Sequence, residues 1–185
     1  VWERSSGAGP TGGPDEELLI RLMNDNPQIK FVIAPHEMDE SRIERLIAET
    51  RGGALRYTQC TPHTPFGSKQ LLILDTVGIL ASVYGYATWS DIGGGFGVGI
   101  HNTLEAATFG LPVAFGPNYQ KFKEARDLVT LEAARPISNY DELNAWFTQL
   151  RDNEEFLAKT SRIARDYTTR HQGATGIIVR TIFQQ

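Results

Sequence analysis

Between positions 93 and 105 the chain reads Gly93-Gly94-Gly95-Phe96-Gly97-Val98-Gly99-Ile100-His101-Asn102-Thr103-Leu104-Glu105, and these residue types suit the binding of an anion. Glycine admits positive φ and has no Cβ to hold a ligand off the backbone. Successive amides in such a turn can converge on one phosphate, and a following helix adds its positive end. Gly94 and Gly95 lie where the backbone would approach closest. Asn102, Thr103, Leu104 and Glu105 open the helix, with Asn102 and Glu105 on one face of its first turn. There a carboxylate can accept from the hydroxyls of a ribose. A plain glycine-rich connector and a capped helix start remain open as alternatives, because the spacing matches neither a P-loop nor a dinucleotide fingerprint.

Other reactive side chains carry less. His36 follows a strand-like run and precedes Asp39-Glu40, so it reads equally as a helix-entry residue or as an acid assisting a departing phosphate. Gly78 and Ile79 form a turn whose backbone could meet a base. Tyr119, Lys121 and Lys123 either touch a sugar or begin a solvated helix. His101 reads as structural, and His63 and His171 as surface residues. Cys60 is the single cysteine, which excludes an internal disulfide, and neither Gln59 nor Thr61 would activate its thiol. Gly67-Ser68-Lys69 lacks the glycine spacing of a phosphate loop. No His, Cys or carboxylate set has metal-ligand spacing, so neither metal nor cofactor is expected.

These residues must be held by strands alternating with helices. Strands are expected at 29–34, 54–58, 71–74, 86–92, 112–115 and 133–137. Helices are expected from Asp15, then at 39–51, 78–84 (capped by Asp75 or Thr76), 102–109, 119–131, 142–151, 153–170 and 175–183. That alternation implies an α/β fold, a Rossmann-like parallel sheet with helices on both faces. Ligands of such sheets bind beyond the carboxyl ends of the strands. Residues 1–14, rich in Gly, Pro and Ser, read as a flexible N-terminal segment and in part a cloning remnant, leaving 15–185 as one nucleotide-binding domain.

The 185 residues suffice for a single core, and 41% hydrophobic with 22% charged residues is ordinary for a soluble domain. A net charge of −4 without basic clusters argues against nucleic acid as a partner. No apolar run approaches the roughly 20 residues that span a bilayer.

Four blocks together carry a resemblance. They are Ala34-Pro35-His36-Glu37, Asp75-Thr76-Val77-Gly78-Ile79-Leu80, the run from Gly93 to Ala107, and Gly110-Leu111-Pro112-Val113-Ala114-Phe115-Gly116-Pro117 with its trailing Lys121-Phe122-Lys123-Glu124. The chain resembles the C-terminal, nucleotide-sugar-binding domain of the 3-deoxy-D-manno-octulosonic acid (Kdo) transferases, which is one half of a GT-B glycosyltransferase. The His101-Asn102-x-Leu104-Glu105 block joined to Phe115-Gly116-Pro117 is the specific part. The resemblance implies binding of CMP-Kdo and transfer of Kdo to a lipid A precursor in lipopolysaccharide biosynthesis. It implies CMP contacts at Pro35, His36, Val77, Gly78, Ile79, Asn102, Thr103, Leu104 and Glu105. It places the acceptor site, the catalytic base and the main membrane contact on an N-terminal domain that this sequence lacks. The fragment is therefore expected to be soluble, to bind nucleotide and to be inactive alone, while the full-length protein works at the cytoplasmic face of the bacterial inner membrane. His36, Ile79 and Lys121 depart from the family's Arg, Glu and Asn. The competing expectations are a UDP-sugar transferase, a UDP-sugar 2-epimerase, or a non-catalytic nucleotide-sensing domain.

Overall fold

The computed structural model describes residues 5–11, 13–35 and 38–171, with backbone alone for 5–11 and 13. Seven strands pair in parallel in one sheet. In chain order they are β1 (Ser5–Thr11), β2 (Lys30–Pro35), β3 (Ala54–Arg56), β4 (Leu71–Ile73), β5 (Ala87–Ile92), β6 (Val113–Phe115) and β7 (Ala134–Pro136). The spatial order is β3-β4-β2-β1-β5-β6-β7. The helices are α1 (Gly13–Asp25), α2 (Glu40–Glu49), α3 (Leu80–Tyr84), α4 (Thr103–Thr108), α5 (Lys123–Thr130), α6 (Tyr140–Asp152) and α7 (Glu154–His171). The expected α/β architecture is thus present.

Strand side chains alternate between two helical layers. On one face Phe31, Ile33, Leu71, Ile73, Trp89 and Ala114 pack with Leu19, Leu22 and Met23 of α1, Ile43 and Leu46 of α2, and the Trp146–Phe147 side of α6. On the other face Ile92, Val113 and Phe115 meet Ala106 and Ala107 of α4, Ala125 and Leu128 of α5, and Ala164 and Tyr167 of α7. Helix starts follow ordinary capping chemistry: Asp39 accepts from the Ser41 amide, Asn102 from Leu104 and Asn139 from Glu142.

The N-terminus departs from expectation. Residues 5–11 are not a flexible leader but β1, near the middle of the sheet, paired to β2 on one side and β5 on the other. A strand flanked on both sides in a parallel sheet normally announces itself as an apolar run. This one is Ser-Ser-Gly-Ala-Gly-Pro-Thr, held by main-chain pairing, and its register shifts between Ala8 and Pro10, where proline has no amide to give.

A second departure concerns α3. Neither Asp75 nor Thr76 caps it; Ile79 is the N-cap, with no side-chain bond. Asp75 instead accepts from Arg56 and Thr58 across the sheet edge. Residues 57–59, partly expected as strand, form a 3-10 turn, and α5 starts at Lys123 instead of Tyr119. The helix expected at 175–183 lies outside the described residues.

Candidate functional site

All strands run the same way, so their carboxyl ends share one edge of the sheet. From β1 the chain moves to β2 on one side, and it later returns from β4 to β5 on the other. The β1/β5 boundary is therefore the switch point, where a crevice forms between diverging loops.

The loop after β5 occupies this position. Gly94 has φ +92°, and a Cβ there would meet the Gly99 carbonyl oxygen at 2.5 Å and His101 Nε2 at 3.2 Å. Gly95 lies against Gly116, whose backbone would be 2.6 Å from an added Cβ. The loop is clasped by three hydrogen bonds from two residues. Asp15, from the first turn of α1, accepts from the Gly94 amide at 3.2 Å. Asn118 donates its own amide to the Gly95 carbonyl at 2.9 Å and its Nδ2 to the Gly97 carbonyl at 2.8 Å.

The expectation of a run of bare amides needs correcting here. Gly94 is committed to Asp15, Gly97 donates to the Gly94 carbonyl and His101 to the Gly93 carbonyl. These bonds fold the loop into a closed turn. Among the described residues, the amides of Phe96, Val98 and Gly99 donate to no protein acceptor, and Val98 at the tip is 98% exposed.

The loop ends at Asn102, whose Oδ1 accepts from the Leu104 amide and whose Nδ2 donates to Glu105 Oε1, both at 3.0 Å. This bond orients the Glu105 carboxylate and uses one of its oxygens. Leu104 and Glu105 are exposed, while Thr103 is buried with a hydroxyl that has no partner among the described residues. Glu105 also acts on Tyr84: burial pushes that phenol up to about 12, and the nearby carboxylate adds to the rise. Tyr84 therefore stays protonated throughout the physiological range.

The remaining predicted residues line the same edge. Pro35 is the buried last residue of β2. His36 lies outside the described residues. After β4, Val77 is 83% exposed, and Gly78 has φ +88° with open space where a Cβ would stand. Ile79 is half-buried against Val32, Ala34 and Leu74, and its carbonyl accepts from the Ser82 and Val83 amides. The backbone this loop offers a ligand therefore lies at Val77 and Gly78.

Several other candidates fall elsewhere. Tyr119 packs its ring against Phe115 at 5.2 Å, and Lys123 pairs with Asp127. His171 stacks on Tyr167, far along α7. Cys60 donates to the Arg56 carbonyl, and burial raises its thiol above the usual value. A cavity of about 520 Å³ between α5 and α7, lined by Asp127, Leu131, Ile163 and Tyr167 among others, contains none of the predicted site residues. Among the described residues no His, Cys, Asp or Glu group is arranged to hold a metal, and no helix is long and apolar enough to cross a membrane.

Sequence reading missed two residues, Asp15 and Asp91. Both are buried, at 3% and 6% exposure. Asp15 opens the helix expected from that position, and no local pattern ties it to the glycine loop 79 positions away. Asp91 lies inside β5, next to the buried Ser90. Its carboxyl is held well above the usual range by burial first and by the charge of Asp15 second.

No family model matches the chain. It is 37% identical over 153 residues to a 3-deoxy-D-manno-octulosonic acid transferase of Rickettsia conorii, covering 80% of this chain and 32% of that protein. The chain thus spans about a third of the length of this curated relative. In structure it is similar to the C-terminal CMP-Kdo binding domain of WaaA from Acinetobacter baumannii, with TM-score 0.70 and 17% identity over 88% of this chain and 89% of the other. It is also similar to UDP-GlcNAc 2-epimerase from Neisseria meningitidis, with TM-score 0.67 and 16% identity over 99% of this chain and 45% of that one. The chain is therefore a sequence relative of the Kdo transferases, folded as one half of a GT-B glycosyltransferase.

Proposed function

We propose that this chain is the donor half of a Kdo transferase and that it binds CMP-Kdo through its CMP moiety. The observation carrying this reading is the Asn102–Glu105 pair. It is fixed at the carboxyl end of β5, in a chain that aligns over four-fifths of its length with Kdo transferases. Glu105 keeps an oxygen available for ribose hydroxyls, and the amides at 96, 98 and 99 are left for the phosphate. Val77 and Gly78 present backbone to the base, where a carbonyl and an amide can serve the amino and keto groups of cytosine.

In the transfer, a hydroxyl of a lipid A precursor attacks the anomeric carbon as the bond from that carbon to the phosphate oxygen breaks. The bonding electrons leave with CMP, and the hydroxyl proton passes to a base outside this chain. Main-chain donors already fixed around the phosphate stabilise the developing charge without a metal. The full-length protein acts at the cytoplasmic face of the inner membrane, while this chain alone binds donor and does not turn it over.

Titration of the 185-residue chain with CMP, UMP and AMP, followed by amide shifts of residues 93–105, tests the reading. CMP should bind most tightly. A UMP preference would favour a UDP-sugar enzyme, the reading to which the epimerase likeness points. Indifference to all three would end the nucleotide-site reading.

Glu105→Gln separates ligand binding from capping. Glutamine retains an oxygen for the Asn102 amide, so the melting temperature should stay within about a degree. Loss of the charged acceptor should weaken CMP binding by about 10-fold, since hydrogen bonds to charged groups contribute roughly 1.5–3 kcal/mol. Isothermal calorimetry beside a thermal melt reads both.

A further inference from the structure

The described site leaves two buried carboxylates without a role. Asp15 and Asp91 come from opposite sides of the switch point, one on the first turn of α1 and the other one residue before the end of β5. The Asp15–Gly94 hydrogen bond is a direct tie between the first turn of α1 and the loop leaving β5. Gly94 is also a position where the backbone has little freedom, with its left-handed φ and the Gly99 carbonyl and His101 ring packed close by. An amide held at such a point fixes the direction of those that follow it.

We propose that Asp15 is a positioning residue of the nucleotide site, setting the 93–99 turn through the Gly94 amide, and that Asp91 is the buried partner that tunes it. The inference rests on the CMP reading for its ligand but not for its geometry. Asp91 lies in register with Ala8 of β1 and Ala114 of β6, so neither neighbouring strand offers it a cation. From α1 it faces Asp15; Glu16, also buried, is already paired with Arg42 of α2. From the following loop, His101 lies against Gly94. In this setting burial, and after it the charge of Asp15, hold the Asp91 carboxyl well above the usual carboxylate range, while Asp15 is the acceptor of the Gly94 amide. Ionising Asp91 would place a second negative charge behind a loop that must receive a phosphate.

Two measurements test this. In the ligand-free chain, the Asp91 carboxyl carbon is followed by NMR against pH in the parent and in Asp15→Asn. Removing the charge of Asp15 should bring the Asp91 midpoint down by a measurable amount and shift the Gly94 amide proton. An unmoved midpoint together with an unmoved Gly94 resonance would overturn the pairing, whatever the chain binds. In the second measurement CMP affinity is titrated across the Asp91 midpoint found in the first. The parent should lose affinity as Asp91 ionises, and Asp91→Asn should make the profile flatter over the same interval. Asp15→Ala should weaken CMP by about 10-fold at pH 7 and speed exchange of the Gly94 amide. Equal profiles in parent and Asp91→Asn, or unchanged Gly94 exchange in Asp15→Ala, would overturn the positioning role. Failure of the parent itself to bind CMP would strike the nucleotide reading and leave the ligand-free result standing.

Discussion

Replacing Gly95 with alanine should unfold or deform this domain more than an average core truncation does. The new methyl would sit 2.6 Å from the Cα and N of Gly116, and both are main-chain atoms with no rotamer to escape into. The reciprocal contact is as tight, since a Cβ on Gly116 would lie 2.4 Å from the Gly95 carbonyl carbon. The two backbones are held together by the Asn118 amide on the Gly95 carbonyl, so relief requires breaking that bond and moving the loop after β6. Overpacking against side chains costs about 1–3 kcal/mol. Against backbone the cost should be at the top of that range or above it, about 3 kcal/mol. Chemical denaturation should show the loss as a lower midpoint with an unchanged slope. Any Gly95→Ala chain that remains folded should bind CMP at least about 10-fold more weakly, because the turn and the Asn118 clasp move together. Native-like stability would mean the two loops are not in contact.

Much of this fold was legible because its signals are local. The strands at 29–34 and 71–74 are apolar runs, Glu40 and Glu105 stand in the first turns of α2 and α4, and glycines follow α2, α3 and α4. The capping pair Asn102 and Glu105 could be read from spacing alone. β1 could not, because Ser-Ser-Gly-Ala-Gly-Pro-Thr has the composition of a linker and becomes a strand only when two neighbouring strands supply its partners. The same limit applies to the site. Loop positions followed from strand order, but the commitments of individual amides did not. Asp15 reaches Gly94 across 79 positions and Asn118 reaches Gly97 across 21. Such pairings decide which donors stay available to a ligand, and no period or propensity in the chain encodes them. Asp75 illustrates the point: its place before a helix suggested a cap, whereas its partners Arg56 and Thr58 come from β3 and the turn after it.

Asp75 carries the second large effect. Its side chain is 2% exposed, and it accepts from Arg56 Nε at 2.8 Å, the Thr58 amide at 2.8 Å and Thr58 Oγ1 at 2.5 Å. Arg56 also pairs with Glu40 at the start of α2, so one carboxylate joins β3, the turn at 57–59 and the loop carrying Val77 and Gly78. Asp75→Ala would strand the Thr58 amide and leave Arg56 with Glu40 alone. Breaking a buried pair by removing one partner costs about 3–5 kcal/mol, and the exposed side of Arg56 should bring this to about 3 kcal/mol. Asp75→Asn keeps an acceptor oxygen and should lose roughly half as much. The pH dependence follows from the same contacts. Burial opposes ionisation, but the bonds from Thr58 and Arg56 outweigh it and leave the carboxyl below its ordinary value. A carboxylate more acidic when folded stabilises the fold above its unfolded value, about 3.9, and that contribution fades as pH falls through the lower folded value. The stability gap between parent and Asp75→Asn, measured by urea melts, should therefore be full at pH 6 and shrink below pH 4. A gap independent of pH would mean that the Asp75 charge does not hold this edge together. The 76–79 loop would then owe its position to Ile79 packing on Val32, Ala34 and Leu74.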